Sequence, residues 1–225
     1  ISASSKNSTI TINANNIISL EATSNSNNAN AIQANYGTVN VEGSTIKLNT
    51  TTEGAEENAL ATSINAKYGA NVALTADNVD MVTTTNNAGQ AIGIYTSDND
   101  SYKDTNVTVN ADNIKLTANA DNGSLASATL AAGQTQINLG DEKTQSIQLS
   151  ANSEAGQAWA VAAQTNGGTE SGTINIKGNN IGISANAGDS ARSVNAANGA
   201  KINIGDENSV VNITASSKDE AIGLS

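Results

Sequence analysis

The sequence predicts an all-β chain wound as a parallel β-helix, a solenoid of about seven coils with three short strands each. Three observations carry this expectation. Apolar residues alternate with polar ones at a period of two, the signature of half-buried strands. The pattern recurs seven times, with coils starting near residues 9, 38, 71, 106, 136, 173 and 201. The apolar positions of each repeat also match those of the next. Coil stacked on coil then places like residues ~4.8 Å above one another in parallel sheets.

The stretch 106–118 shows the module most clearly. Val107 and Val109 alternate with polar residues, then Ile114, Leu116 and Ala118 do the same. Between them sits Asn110-Ala111-Asp112-Asn113, a cluster of turn formers, so the stretch reads as strand, tight corner, strand. The first strands carry inward pairs: Ile10/Ile12, Val39/Val41, Val72/Leu74, Val107/Val109, Ile137/Leu139, Ile174/Ile176 and Ile202/Ile204. The residue between each pair is Thr11, Asn40, Ala73, Thr108, Asn138, Asn175 or Asn203, small or polar as a solvent-facing position should be. The second strands carry inward triplets, from Ile18/Leu20/Ala22 to Val211/Ile213/Ala215, whose third member is always Ala or Thr.

The third strand is Ala-rich and weaker. It aligns as Ala31-Ile32-Gln33-Ala34, Ala59-Leu60-Ala61-Thr62, Ala91-Ile92-Gly93-Ile94 and Ala158-Trp159-Ala160-Val161, then at Ala191 and Ala221. The fourth module, 124–130, fits poorly. This alignment puts Arg192 in a column with Ile32, Leu60, Ile92, Trp159 and Ile222. A buried Arg without a carboxylate is costly, so that column is expected to face outward.

From Ile10 to Ile202 there are six intervals of about 32 residues, in the range of solenoids, propellers and arrays. A propeller blade needs four antiparallel strands, and two-residue hairpin turns such as Asn-Gly are missing between first and second strands. Seven coils make a rod ~34 Å long. The chain opens near a first strand and stops in a third strand without a visible polar cap, so an uncapped segment of a longer rod is expected. Residues 1–225 read as one domain.

Composition narrows the function. The net charge is −11, with no Cys, Pro, His or Phe and 2% aromatics. The acidic balance argues against nucleic acid and anionic membrane as partners. No apolar run reaches the ~20 residues of a spanning helix, so direct membrane insertion by this segment is not expected. Disordered chains share the high polarity but do not hold period-two alternation through seven modules.

The Val/Asn/Ile alternation of the strands, the Ala91-Ile92-Gly93-Ile94 third strand and the Cys-free, Asn/Thr/Gly/Ala-rich acidic composition together resemble the passenger domains of bacterial autotransporters (type V secretion). The resemblance covers all 225 residues and rests on repeat style. It implies a right-handed parallel β-helix, export through the outer membrane to the cell surface, and a role as an adhesin.

Polysaccharide-cleaving β-helices use clustered carboxylates with Arg, Lys or His; here there is one Arg and no His, so catalysis is not expected and no cofactor is required. The turns Gly140-Asp141-Glu142 and Gly205-Asp206-Glu207, with Asp77 and Asp112, offer oxygen ligands to Ca²⁺; a solvated turn that satisfies its own backbone is the simpler reading. The second-to-third loops are acidic, with Glu53, Glu56, Glu57 and Glu154. The loop 97–105, the least repetitive piece, places Asp98, Asp100 and Asp104 around Tyr102 as a candidate binding surface. Trp159, the single Trp, either stacks on a sugar or partner from outside or fills a wide coil from inside. Tyr36 and Tyr68 precede Gly37 and Gly69 at equivalent corners and are expected to stack. The outward column through Asn138, Asn175 and Asn203 offers a polar face for self-association. The expected partners are a host matrix protein, a glycan, other bacterial cells or a second copy, with attachment and biofilm formation as the outcome. A polysaccharide-acting enzyme and a passive spacer are the alternatives.

Overall fold

A computed structural model describes residues 1–54, 59–98, 101–165 and 171–225. The described residues form a parallel β-solenoid in which seven modules stack over six steps. First and second strands build a 12-stranded sheet, and third strands, with Ser2–Ala3, build an 8-stranded sheet. Among the described residues every strand pairing is parallel, and Thr165 and Ser171 add one isolated antiparallel bridge.

The registers reproduce the expected first- and second-strand columns. Val39 lies over Val72, Val72 over Val107, Val107 over Ile137 and Ile137 over Ile174. Leu48, Met81, Leu116 and Leu149 form another column, each fully buried. One such side chain contributes about 1.5–3 kcal/mol by leaving water. Stacking makes this contribution recur once per coil and column.

The corner in 106–118 is tighter than a turn. Thr105–Ala120 is one continuous strand, as is Asn71–Thr85. Val107 and Ile114 are seven positions apart, an odd number, so strict alternation would send them to opposite faces. The phase is restored where Asp112 and Asn113 both face outward. Other coils spend more residues: Gly140 (φ 72°) and Gly205 (φ 74°) sit in the left-handed region, which suits glycine, and open short turns there.

The second-to-third corner is held by a hydroxyl column that the inward triplets did not reveal. Ser24, Thr52, Thr85, Ser153 and Ser217 occupy five of its seven positions, and Ala120 and Ala187 the other two. Thr52 Oγ1 donates to Asn27 O (2.7 Å) and accepts from the Gly54 amide (3.3 Å). Ser217 Oγ donates to Asp189 O (2.8 Å) and accepts from the Asp219 amide (3.1 Å). Backbones also converge here: a Cβ on Gly156 would lie 2.5 Å from Gly123 O.

The third strand corrects the sequence alignment. Ala29, Ala61, Ala91, Ala126, Ala158, Ala191 and Ala221 form one row, so the first two modules sit two residues from the expected register and the fourth joins the pattern. Under strict alternation a slip of two would keep every side chain on its own face, but this strand points two adjacent residues inward, so the slip moves Ile32 from the core to the outer column. The row of Arg192 is Asn30, Thr62, Ile92, Ser127, Trp159, Arg192 and Ile222. Trp159 and Arg192 do lie on the outer side, and Arg192 pairs with Glu220 at 3.3 Å. Ile32 does not belong there: it is fully buried in the core over Ile64. Leu60 pairs with Gln90, two positions before the Trp159 row.

Each third strand places two consecutive residues inward, such as Ala31-Ile32 and Ala160-Val161. The outward residues on either side then pack together. Ile92, Leu130 and Ala162 form a second apolar cluster, apart from the core, with Leu60, Tyr95 and Trp159 against it. Trp159 is therefore a half-buried outer-face residue, and the inward alternative is set aside.

Candidate binding surfaces

The loop 97–105 does not present a uniform acidic surface. Asp98 is 1% exposed. Its Oδ1 accepts from the amides of Tyr68 (2.7 Å) and Gly69 (3.2 Å) and from the Thr105 hydroxyl, and its Oδ2 accepts from the Thr105 amide (2.8 Å). A carboxylate enclosed by its own chain staples this corner and is not available to a partner. Asp100 lies outside the described residues, as do Glu56 and Glu57. Asp104 is exposed, in the left-handed region at φ 69°.

Tyr102 completes an aromatic cluster. Tyr36 and Tyr68 stack at 5.2 Å as expected, and Tyr102 meets them edge-on at 4.8 and 5.8 Å. Burial pushes the Tyr36 phenol above its ordinary pKa, with the Tyr102 and Tyr68 phenols adding to the effect. Lys6 Nζ lies 5.5 Å from the Tyr102 ring centroid. Tyr102 thus ties the acidic loop to the rod.

The acidic turns serve their own backbones. Asp141 Oδ1 accepts from the Lys143 amide (2.8 Å), and Asp206 Oδ1 accepts from the Asn208 amide (3.0 Å) and the Ser209 hydroxyl (3.2 Å). Lys143 and Lys177 line the same hollow as Asp141 and Glu142, placing cations where a metal ion would need oxygens. Elsewhere Glu53 accepts from Asn86 Nδ2 at 3.3 Å.

The Asn column is a hydrogen-bonded ladder. Asn203 Nδ2 donates to Asn175 Oδ1 (2.7 Å), Asn175 Nδ2 to Asn138 Oδ1 (2.9 Å), and Asn138 Nδ2 to Asn106 Oδ1 (2.9 Å). Gln136 Nε2 joins at Asn138 Oδ1 (3.0 Å). Asn106 comes from the neighbouring outward row, so the ladder runs diagonally at its upper end. Asn106, Asn138 and Asn175 each use a donor and the acceptor internally, which fixes their orientation, and Asn203 uses a donor.

Beside this ladder, where third strands lead into first strands, lies a polar cleft of about 540 Å³. Four coils contribute in turn: Asp104 to Asn106, Gln134 to Gln136, Ser171 with Thr173, and Asn198 with Gly199 and Lys201. Asn106, Gln136, Thr173 and Lys201 occupy one register row. Sequence reasoning found Asp104 but missed the rest. The only signal was a polar residue immediately before each inward pair, which every exposed strand end shares. Several lining groups are already tied down: Ser171 Oγ donates to Asn198 O (2.7 Å), and Thr135 shares a hydroxyl contact with Thr96 (2.7 Å). Gln134 Oε1 is enclosed and lacks a donor among the described residues.

The structure thus places Asp104 and Lys201 at opposite ends of one cleft, which also holds Asn106, the residue that ends the ladder through Asn138, Asn175 and Asn203, and leaves Trp159 on a separate face. Comparison with known proteins adds no relative: no protein-family model, no curated protein and no solved structure matches this chain.

Proposed function

We propose that the chain is a non-catalytic segment of a bacterial cell-surface adhesin, of the autotransporter passenger kind, that attaches its cell to other cells, matrix protein or host glycans. The observation that carries this reading is the ligand-sized polar cleft running along four coils of a rigid scaffold. The charged residues of the cleft are too few for turnover. Among the described residues the lining holds a single carboxylate, Asp104, and its other charged group is the ammonium of Lys201. Acid–base cleavage of a glycosidic bond uses carboxyl pairs ~5–10 Å apart. The fixed Asn ladder adds a regular polar face suited to contact with a like face.

The test is adhesion of beads coated with the chain. Coated beads are expected to clump or to adhere to immobilised matrix protein and glycan. Asn175→Lys, which interrupts the ladder with a charge, is expected to reduce clumping while leaving the sheet spectrum intact. Coated beads that behave as bare ones refute an adhesive role, and release of sugar from any polysaccharide overturns the non-catalytic assignment.

A further inference from the structure

We propose that the corner cleft binds a linear, uncharged oligosaccharide lying along the rod axis, three or four sugar units long, with about one unit per coil. The proposal deepens the binding role above by naming its ligand class.

Spacing is the first argument. The row Asn106, Gln136, Thr173 and Lys201 repeats once per coil, at ~4.8 Å. That step is close to the length of one pyranose unit in an extended 1,4-linked chain. An extended peptide advances ~3.3 Å per residue and would fall out of step within two coils.

Chemistry is the second. The lining residues are amides, hydroxyls, one carboxylate and one ammonium. Amides and hydroxyls both donate and accept, matching a ligand covered in hydroxyls. Asp104 offers acceptors at one end of the cleft, and Lys201 offers donors at the other. A protein carrying a net charge of −11 repels anionic chains at long range, which favours an uncharged one. Gln134 adds an enclosed acceptor without a donor among the described residues, a deficit that a rotation of its amide toward a ligand hydroxyl would remove.

Preorganisation is the third. Asn106 is held through Oδ1 by Asn138, and Gln136 through Nε2 by the same Asn138. Gln136 Oε1 therefore remains as an acceptor in a fixed direction. Side chains already ordered lose little entropy on binding.

The experiment is calorimetric titration of the 225-residue chain with neutral β1,4-linked glucose and N-acetylglucosamine oligomers of two to six units, with a uronate tetramer for comparison. Affinity for at least one neutral series is expected to rise with length up to the tetramer and then level off. Lys201→Ala and Asp104→Ala, at opposite ends, should each weaken the tetramer about three- to tenfold, as for the loss of one or two hydrogen bonds. Lys47→Ala, on the outer face of a second strand away from the cleft, should leave binding unchanged. Circular dichroism confirms that each variant keeps its sheet. The proposal is overturned if no neutral series binds, if the uronate tetramer binds more tightly, or if the end variants bind as the parent does. Bead adhesion by a chain that binds no neutral oligosaccharide would sink this inference alone. Loss of adhesion with saccharide binding intact would sink the broader role alone.

Discussion

Asp98→Ala tests whether the enclosed carboxylate is a staple. Asp98 accepts from three backbone amides, but these are not equally dependent on it. The Tyr68 amide also faces Ser97 O at 3.3 Å, and the Gly69 amide also reaches Thr105 Oγ1 at 2.8 Å. Only the Thr105 amide, 2.8 Å from Oδ2, loses its sole described acceptor. Thr105 is fully buried, so that orphaned donor costs about 1–3 kcal/mol. Two weakened charge-assisted bonds bring the total to about 3–4 kcal/mol. For a chain of this size, each kcal/mol corresponds to about 2–4 °C in Tm, so a fall of about 10 °C is expected. Thermal unfolding followed by far-ultraviolet circular dichroism measures it. Coils in a solenoid contact only their neighbours, so faster amide exchange should concentrate at Tyr68, Gly69 and Thr105. Asp98→Asn retains one acceptor oxygen and should fall between parent and Ala. A Tm within about 3 °C of the parent, with the Thr105 amide still protected, would refute the staple.

Two further outcomes follow from the same packing. Leu116→Ala, fully buried in the central coil, is expected to cost about 2–5 kcal/mol, whereas Leu20→Ala, in the same column but half-exposed in the first coil, should cost less; equal losses by denaturant titration would contradict the stacked core. Burial beside the Tyr95 ring, 5.0 Å away, holds the Lys67 ammonium below its usual pKa of 10.5. Between the lowered folded value and 10.5 the unfolded chain holds more protons, so stability rises with pH across that window. Lys67→Met should therefore be more stable than the parent near neutral pH, with the advantage fading as pH approaches 10.5. An advantage independent of pH would show that desolvation of the charge is not its source.

The amino-acid sequence by itself determined the winding. Period-two alternation can be satisfied by one buried face, and seven repeats of Val, Ile and Leu at matching positions leave a stacked parallel core as the consistent solution. It also determined the tyrosine stack at the corners. Tertiary structure alone decided the third-strand register, because two adjacent inward residues per strand, such as Ala31 with Ile32 and Ala160 with Val161, break the alternation from which a register is read. It alone separated Asp98, enclosed among backbone amides, from Asp104, exposed beside a cleft. Six residues apart in one acidic loop, the two look alike in sequence. They differ because the chain folds the Tyr68–Gly69 corner of the preceding coil against one of them and leaves the other in solvent. The cleft, too, exists only when residues some 30 positions apart are stacked at one corner.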